Sequence, residues 1–478
     1  VKMERKYLQA FMPEQAEKEY SVSRSQWGGI NKKVKIDSGE FSDGKMFIPQ
    51  RDYIESAPLK STLLTKGYNC VLGFYGAGDF VLVIYKDGTS GTTIYVDYVT
   101  STGTVYTGTL KTGAGSDTDR RYVTQFNVYT NPSDPLTGTY NRKLLIFPDK
   151  KSMDYQISAT FSLASFSAGT PSITYPVVHL SRLFGLDGER AYASEFNDYT
   201  GWNLDTADES LESNAWATTS QSNTKADGLF TAITVYDGHV LCFKDDFMHQ
   251  INNTRNPFRI IDIGGFGCVN NECVAEAGGY LFFVSQDGVM LFGGGYPKNI
   301  SENLDISDYS GSKLTAYGDV VYLYNGQTIY TFDVKIGSWG VRDTSLTVLG
   351  MASNSDGAFI ITATGIYNLN GSTYSSTLGD SYFTTDLMAL GVTDVKRLKR
   401  ISLQVYLGTN AEVGVYAVTS SGDVEVGTIS TTTAATKAMR VLMRKFANEY
   451  PQLKFKIKGY ARIYQATFIY ARSEGAYT

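Results

Sequence analysis

Between Leu314 and Gly340 the chain runs Leu314-Thr-Ala-Tyr317, Val320-Val-Tyr-Leu-Tyr324 and Thr328-Ile-Tyr-Thr-Phe332, three apolar-rich stretches parted by Gly318-Asp319 and Asn325-Gly326 and closed by Gly337-Ser-Trp339-Gly340. Short apolar runs joined by Asp, Asn and Gly predict strands in tight hairpins, and three of them match a propeller blade without its outer strand. Looser copies surround this one. Phe230 to Asn252 turns at Asp237-Gly238, Ala275 to Gly295 at Asp287-Gly288, and Val348 to Asn370 at Asp356-Gly357. Upstream, Phe80–Tyr85 with Thr93–Val99, Arg121 to Phe147, and Pro176 to Asn203 read as further units of the same kind. At about 40 residues per blade, the interval accommodates roughly six or seven.

The flanks follow other patterns. Residues 1–66 are polar, charged and poor in alternation, and predict an extended arm that packs over the body or reaches a neighbouring subunit; Trp27, Phe41, Met46, Phe47 and Ile48 are its candidates for burial. After a propeller at 67–378, residues 379–478 read as a separate β-sandwich with strands at Arg400–Tyr406, Glu412–Tyr416, Val424–Ile429, Arg440–Met443 and Lys454–Lys458. Met439, Leu442, Met443 and Phe446 also suit a helical stripe, so period alone leaves that stretch open. Leu204 to Asp227, acidic and then Ser/Thr/Asn-rich, is long for a connection between blades and reads as either an interaction loop or a mobile one.

Composition agrees with an all-β chain: 478 residues contain 34 Tyr and 47 Gly but only 11 Pro, which suits strands and tight turns. The four cysteines (70, 242, 268 and 273) make neither a disulfide framework nor zinc spacing and read as buried thiols of an intracellularly assembled protein. No apolar run is long enough to span a bilayer, and no hydrophobic leader follows the basic first residues, so neither membrane insertion nor secretion is expected. The net charge of −5 conceals a division: between Asp394 and Arg472 there are 13 Lys and Arg against five Asp and Glu, which leaves the rest strongly acidic. Lys396, Arg397, Lys399 and Arg400, with Lys454, Lys456 and Lys458 alternating along one strand, are candidate contacts to a partner or, through charge alone, to double-stranded DNA.

Candidate chemistry is sparse. The three histidines (179, 239 and 249) stand in no nucleophile or metal motif. Gly264-Gly-Phe-Gly267 and Gly293-Gly-Gly295 lack the strand-to-helix setting and the lysine of a phosphate loop, and read as tight turns. Asp305 and Asp308 belong to no calcium loop. No catalytic residue, metal or cofactor is expected. The enzymatic alternative is a carbohydrate-binding or glycan-cleaving propeller, with acids around the mouth as acid and base; Ser285-Gln-Asp287-Gly288 and Ser353-Asn-Ser-Asp356-Gly357 lack the spacing and Thr-Trp of sialidase-like turns.

One string is distinctive: His179, Arg182, Leu183, Phe184, Gly185, Arg190, Tyr192, Ser194, Trp202 and Asn203, in that order. With Ile261-Asp-Ile-Gly264-Gly-Phe-Gly267, the hairpin around Asp287-Gly288 and Lys298-Asn-Ile300-Ser301-Glu302, it resembles the tail-hub, tail-nozzle and packaged-DNA stabilisation propellers of short-tailed phages. The layout is similar too, with an arm carrying Trp27-Gly-Gly-Ile-Asn31, a central propeller and a C-terminal β-domain. The resemblance implies a structural virion protein assembled in the host cytoplasm: a ring, six copies, below the portal and adaptor, closing the DNA channel after packaging and conducting DNA on ejection. It carries over no catalytic residues, and His179, Arg182, Arg190, Trp202, Asp287 and Gly288 enter as structural positions.

Overall fold

Seven four-stranded antiparallel units form the middle of the chain, six as separate sheets and one, residues 313–343, as the end of a ten-stranded sheet. In a computed structural model, residues 19–24, 27–33, 39–129, 140–166, 169–204, 214–218, 228–252, 258–390, 396–448 and 451–472 are described. The units comprise residues 70–112, 122–165, 175–217, 232–264, 274–299, 313–343 and 350–368, the last completed by Ser61–Thr65, and are blades 1 to 7 below. Their first strands, Cys70–Ala77, Tyr122–Tyr129, Tyr175–His179, Ala232–Tyr236, Val274–Ala277, Lys313–Tyr317 and Gly350–Asn354, touch in cyclic order, blade 7 returning to blade 1. The protein is therefore a closed, seven-bladed β-propeller. The four looser and clearer sequence copies are blades 4, 5, 6 and 7.

Ring closure uses an early segment. Ser61–Thr65 pairs with Gly365–Asn368 as the outer strand of blade 7, although it precedes blade 1 in sequence. Gly365, at φ +156°, allows the approach, because a Cβ there would lie 2.2 Å from the Leu64 carbonyl oxygen. The next residues fasten this strand to blade 1: Lys66 Nζ donates to Asp97 Oδ2 at 2.5 Å, and Tyr68 and Thr107 donate to the same carboxylate at 2.9 and 2.7 Å.

Two further sheets make the C-terminal sandwich. One runs Phe47–Pro49, Ile54–Ser56, Ala461–Arg472, Lys396–Leu407, Ala435–Asn448, and Glu19–Arg24 also pairs with Ala461–Arg472. The other runs Phe41–Lys45, Ser381–Thr385, Leu453–Lys458, Glu412–Thr419, Gly422–Ser430. Ala435–Asn448, open between strand and helix in sequence, is a strand, held by long-range pairing with Lys396–Leu407 that local period does not report. The arm is thus a supplier of strands to sheets of its own chain. Its Phe41 and Phe47 are fully buried, with Phe41 4.8 Å from Phe383, which stacks in turn on Phe455. Trp27 and Met46 are buried as expected, and Ile48 is half-buried.

Propeller and sandwich are joined by this arm. Phe47 pairs with Val341 on the outer strand of blade 6, so one ten-stranded sheet runs from the blade into the sandwich. In the Trp-Gly-Gly-Ile-Asn segment, Ile30 N donates to the Trp339 carbonyl at 2.7 Å and Trp27 Nε1 to the Tyr464 carbonyl at 3.0 Å. Gly29 is required there: a Cβ would lie 2.5 Å from the Trp339 carbonyl oxygen.

Candidate functional site

A propeller's usual place for chemistry is the end of its axis, where the loops leading into the inner strands converge. Here that end is bridged by charge. Arg120, just before the inner strand of blade 2, reaches Glu272, just before that of blade 5, with Nη2 2.5 Å from Oε1 and 2.7 Å from Oε2. Blades 2 and 5 lie across the ring, so this contact spans the axis. Lys313 of blade 6 bonds the same carboxylate, and Arg120 also donates to the carbonyls of Val71 in blade 1 at 2.8 Å and Leu349 in blade 7 at 3.3 Å. Five blades are tied through three side chains. Burial raises the affinity of Glu272 for a proton, but Lys313 and Arg120 outweigh it and hold the carboxyl below the usual range. A carboxylate so held is a poor general acid.

Surrounding groups are equally quiet. Asn270 Oδ1 accepts from Glu272 N at 2.8 Å and fixes the short 3-10 turn Asn271–Cys273. Cys268 and Cys273 are buried and donate to the carbonyls of Asn270 and Ser312, and burial pushes the Cys268 thiol up to about 12, which leaves it un-ionised and unreactive. Among the described residues no three His, Cys, Asp or Glu side chains are grouped as metal ligands, and no helix is long and apolar enough to cross a membrane.

The distinctive string forms blade 3. Arg182 is buried, with Nη1 donating to the carbonyls of Ser194 at 2.5 Å and Asn214 at 2.8 Å, and its guanidinium lies over Phe258 of blade 4. Ser194 Oγ accepts from Leu183 N, and Trp202 Nε1 donates to the Tyr199 carbonyl, packing the ring beside Phe126 and Phe147 of blade 2. His179 ends the inner strand, half-buried and 6.3 Å from the Phe184 ring, while Arg190 is exposed. Arg182 and Trp202 bind blade 3 to blades 4 and 2.

Asp287 and Gly288 belong to a hairpin device that recurs. Asn299 Nδ2 donates to the Asp287 carbonyl at 2.8 Å, and Ser301 Oγ accepts from Val289 N, beside Gly288 at φ +142°. Blade 7 repeats it: Asn368 Nδ2 donates to the Asp356 carbonyl at 3.3 Å and Asn370 Oδ1 accepts from Ala358 N, beside Gly357 at φ +154°. An Asn twelve residues after each Asp was the available signal for this repeat, stronger than Asp-Gly alone.

The basic sandwich face is less bare than its sequence. Lys454 and Lys456 lie 3.3 and 3.2 Å from the same Asp423 oxygen, and sit 4.2 and 4.1 Å from the ring centroids of Tyr382 and Tyr416. Desolvation works against ionised Asp423, but the two lysines keep its carboxyl below the ordinary range. Lys458 is half-buried farther along the strand, opposite Glu412 in register. Lys399 and Arg400 are half-buried at a bulge in Lys396–Leu407; the side chains of Lys396 and Arg397 lie outside the described residues, as does most of the 204–227 loop. A phosphate-tracking groove needs several unneutralised cations, and two of the seven candidates are already paired.

No family model matches the chain, and no curated protein matches it. Similar solved structures include BamB from Moraxella catarrhalis (TM-score 0.37, 11% identity, 72% of this chain and 96% of that one). An exo-β-1,3-galactanase from Phanerochaete chrysosporium (0.26, 9%, 86% and 100%) and puromycin hydrolase (0.37, 9%, 67% and 58%) are others. Likenesses of this size carry no argument about function, and the class, an all-β propeller with an appended sandwich, rests on the strand pairing above.

Proposed function

We propose that this chain is a non-catalytic building block of a phage tail, a hub or nozzle subunit that assembles as a ring beneath the portal and adaptor and guides DNA. The observation that carries this reading is the Arg120–Glu272–Lys313 bridge across the propeller axis. It occupies the place of an active site with side chains already paired to one another, and it stiffens the ring instead of receiving a substrate. The resemblance of the 179–203 string to virion propellers supports the same reading, since its Arg182 and Trp202 lock blade 3 to its neighbours. In such a ring DNA passes between subunits, not through the propeller of any one. Closed rings need heterologous contacts on undeformable subunits, which a bolted propeller continuous with a sandwich provides.

The experiment is negative-stain imaging and size-exclusion of the purified chain, alone and with a cognate adaptor ring, alongside hydrolysis of a panel of nitrophenyl glycosides. Closed rings or adaptor-bound rings with no hydrolysis are expected. A chain that stays monomeric with the adaptor and releases nitrophenol would instead establish the glycan-cleaving alternative.

A further inference from the structure

Away from the propeller axis, where the sandwich meets blade 7, a cavity of about 540 Å³ opens between the linker after blade 7, the end of Lys396–Leu407 and the turn into Ala461–Arg472. Three tyrosines from these three segments face it. Tyr460 is central, with Tyr374 at 4.9 Å between ring centroids and 42° between planes, and Tyr406 at 6.1 Å and 70°. All three are half-exposed, whereas tyrosines serving only a core are covered. The rim is polar and nearly neutral, with Thr373, Asn410 and one cation, Lys458.

This arrangement is held from behind. Tyr460 Oη donates to Glu55 Oε2 at 3.0 Å, and Arg462 Nε donates to that oxygen at 3.1 Å, so the Glu55 charge is compensated and the ring is fixed. The backbone of the rim is tied as well: Gly459 N donates to the Ser375 carbonyl and Gly408 N to the Tyr460 carbonyl, both at 2.7 Å. A rigid aromatic floor with short polar groups at its edge and little net charge suits a ligand with apolar ring faces and a belt of hydroxyls. A single-stranded nucleic acid also stacks on aromatic rings, but it requires a basic track for its phosphates, and one lysine is not a track.

We propose that this tyrosine-lined cavity binds a neutral oligosaccharide, one sugar ring stacking against Tyr374 or Tyr406 while Asn410, Thr373 and Lys458 bond its hydroxyls. The described residues that line the cavity include no carboxylate, so the site binds without cleaving. The inference is independent of the assembly reading: rings without sugar binding, or sugar binding without rings, separate the two.

The test titrates the full chain by calorimetry with gluco-, galacto-, manno- and N-acetylglucosamine trisaccharides, and with oligothymidine. At least one trisaccharide is expected to bind with Kd of about 1 mM or tighter, as suits an open site. Thr373→Trp, an exposed rim change that fills the cavity without touching a core, should abolish binding; Tyr406→Ala should weaken it about tenfold or more, and Tyr406→Phe should leave it nearly unchanged. Absence of binding to all four sugars overturns the proposal. So does sugar binding that survives Thr373→Trp, which locates the site elsewhere, or oligothymidine binding that Thr373→Trp removes.

Discussion

Single buried polar residues in this protein are placed where several backbones must be held at once. Lys86 is fully buried and its Nζ donates to the carbonyls of Thr89, Gly115 and Asp117 at 3.2, 2.6 and 3.0 Å, so an ammonium organises two loops of blade 1. His249 carries a pH signature. It is fully buried in the third strand of blade 4, with Nδ1 2.9 Å from Asp262 Oδ1 and Nε2 without a partner among the described residues. Burial lowers its pKa below 6.5, and Asp262 only partly opposes this. An unfolded chain therefore takes up a proton near pH 6.5 that the folded chain refuses, so stability is full above about 6.5 and falls as pH drops toward the folded value, by about 1.4 kcal/mol for each unit between the two. Thermal unfolding of His249→Gln followed from pH 7.5 to 5 is expected to show a shallower acid loss than the parent. An identical slope in both proteins would remove His249 from the acid response.

At the scale of elements, the bridge across the axis does for the inner strands what Ser61–Thr65 does for the outermost ones. Each inner strand pairs only within its own blade, and blades meet through side chains, so an ion pair from blade 2 to blade 5 resists shear that packing alone permits. Glu272→Gln leaves Arg120 and Lys313 facing each other without a counter-charge. Full burial of such a pair would cost about 3–5 kcal/mol when one partner is lost. Glu272 keeps 23% side-chain exposure, so about 2–3 kcal/mol is the expected loss, read as a lower urea midpoint. Replacing all three residues by Met should recover most of it, because the cost lies in the uncompensated cations. A triple variant less stable than Glu272→Gln would show that the attraction itself dominates. Glu272 adds an acid dependence of its own: with its folded pKa depressed, its contribution is present above about 4.5 and lost as pH falls through the folded value.

For the whole molecule, the arm is what makes one body of two domains. Removing residues 1–57 would strip Phe41, Phe47 and Ile54 from a shared core and uncover edges of Ser338–Asp343, Ser381–Thr385 and Ala461–Arg472. Each of those side chains contributes roughly 1.5–3 kcal/mol by burial, and unpaired edges invite pairing between chains. The truncated chain is expected to be insoluble or polydisperse in light scattering. A monodisperse product with an unchanged far-ultraviolet spectrum would show that the arm is dispensable to the fold.

Local pattern was enough to reveal the blades, since a strand, its turn and its hairpin partner lie within about a dozen residues and alternation reports which face is buried. The Asp-Gly turns at 237, 287 and 356 and the sandwich strand Leu453–Lys458 were legible for that reason. The burial of Trp27, Phe41 and Phe47 was legible as well, though not what covers them. Partners far apart in sequence were settled only by the tertiary structure. Arg120 meets Glu272 at a separation of 152 residues, Trp27 meets Tyr464 at 437, and Tyr374, Tyr406 and Tyr460 converge from three separate segments. Charge shows the limit most directly: Lys454 and Lys456 read as a bare basic face until the hairpin that carries Asp423 folds beside them. The sequence by itself determined an all-β chain of repeated hairpins with charge concentrated at one end. The folded chain decided the count of seven, the closure through an early strand, the pairing of Lys454 and Lys456 with Asp423 and the route of the arm, because each depends on contacts whose formation no local pattern encodes.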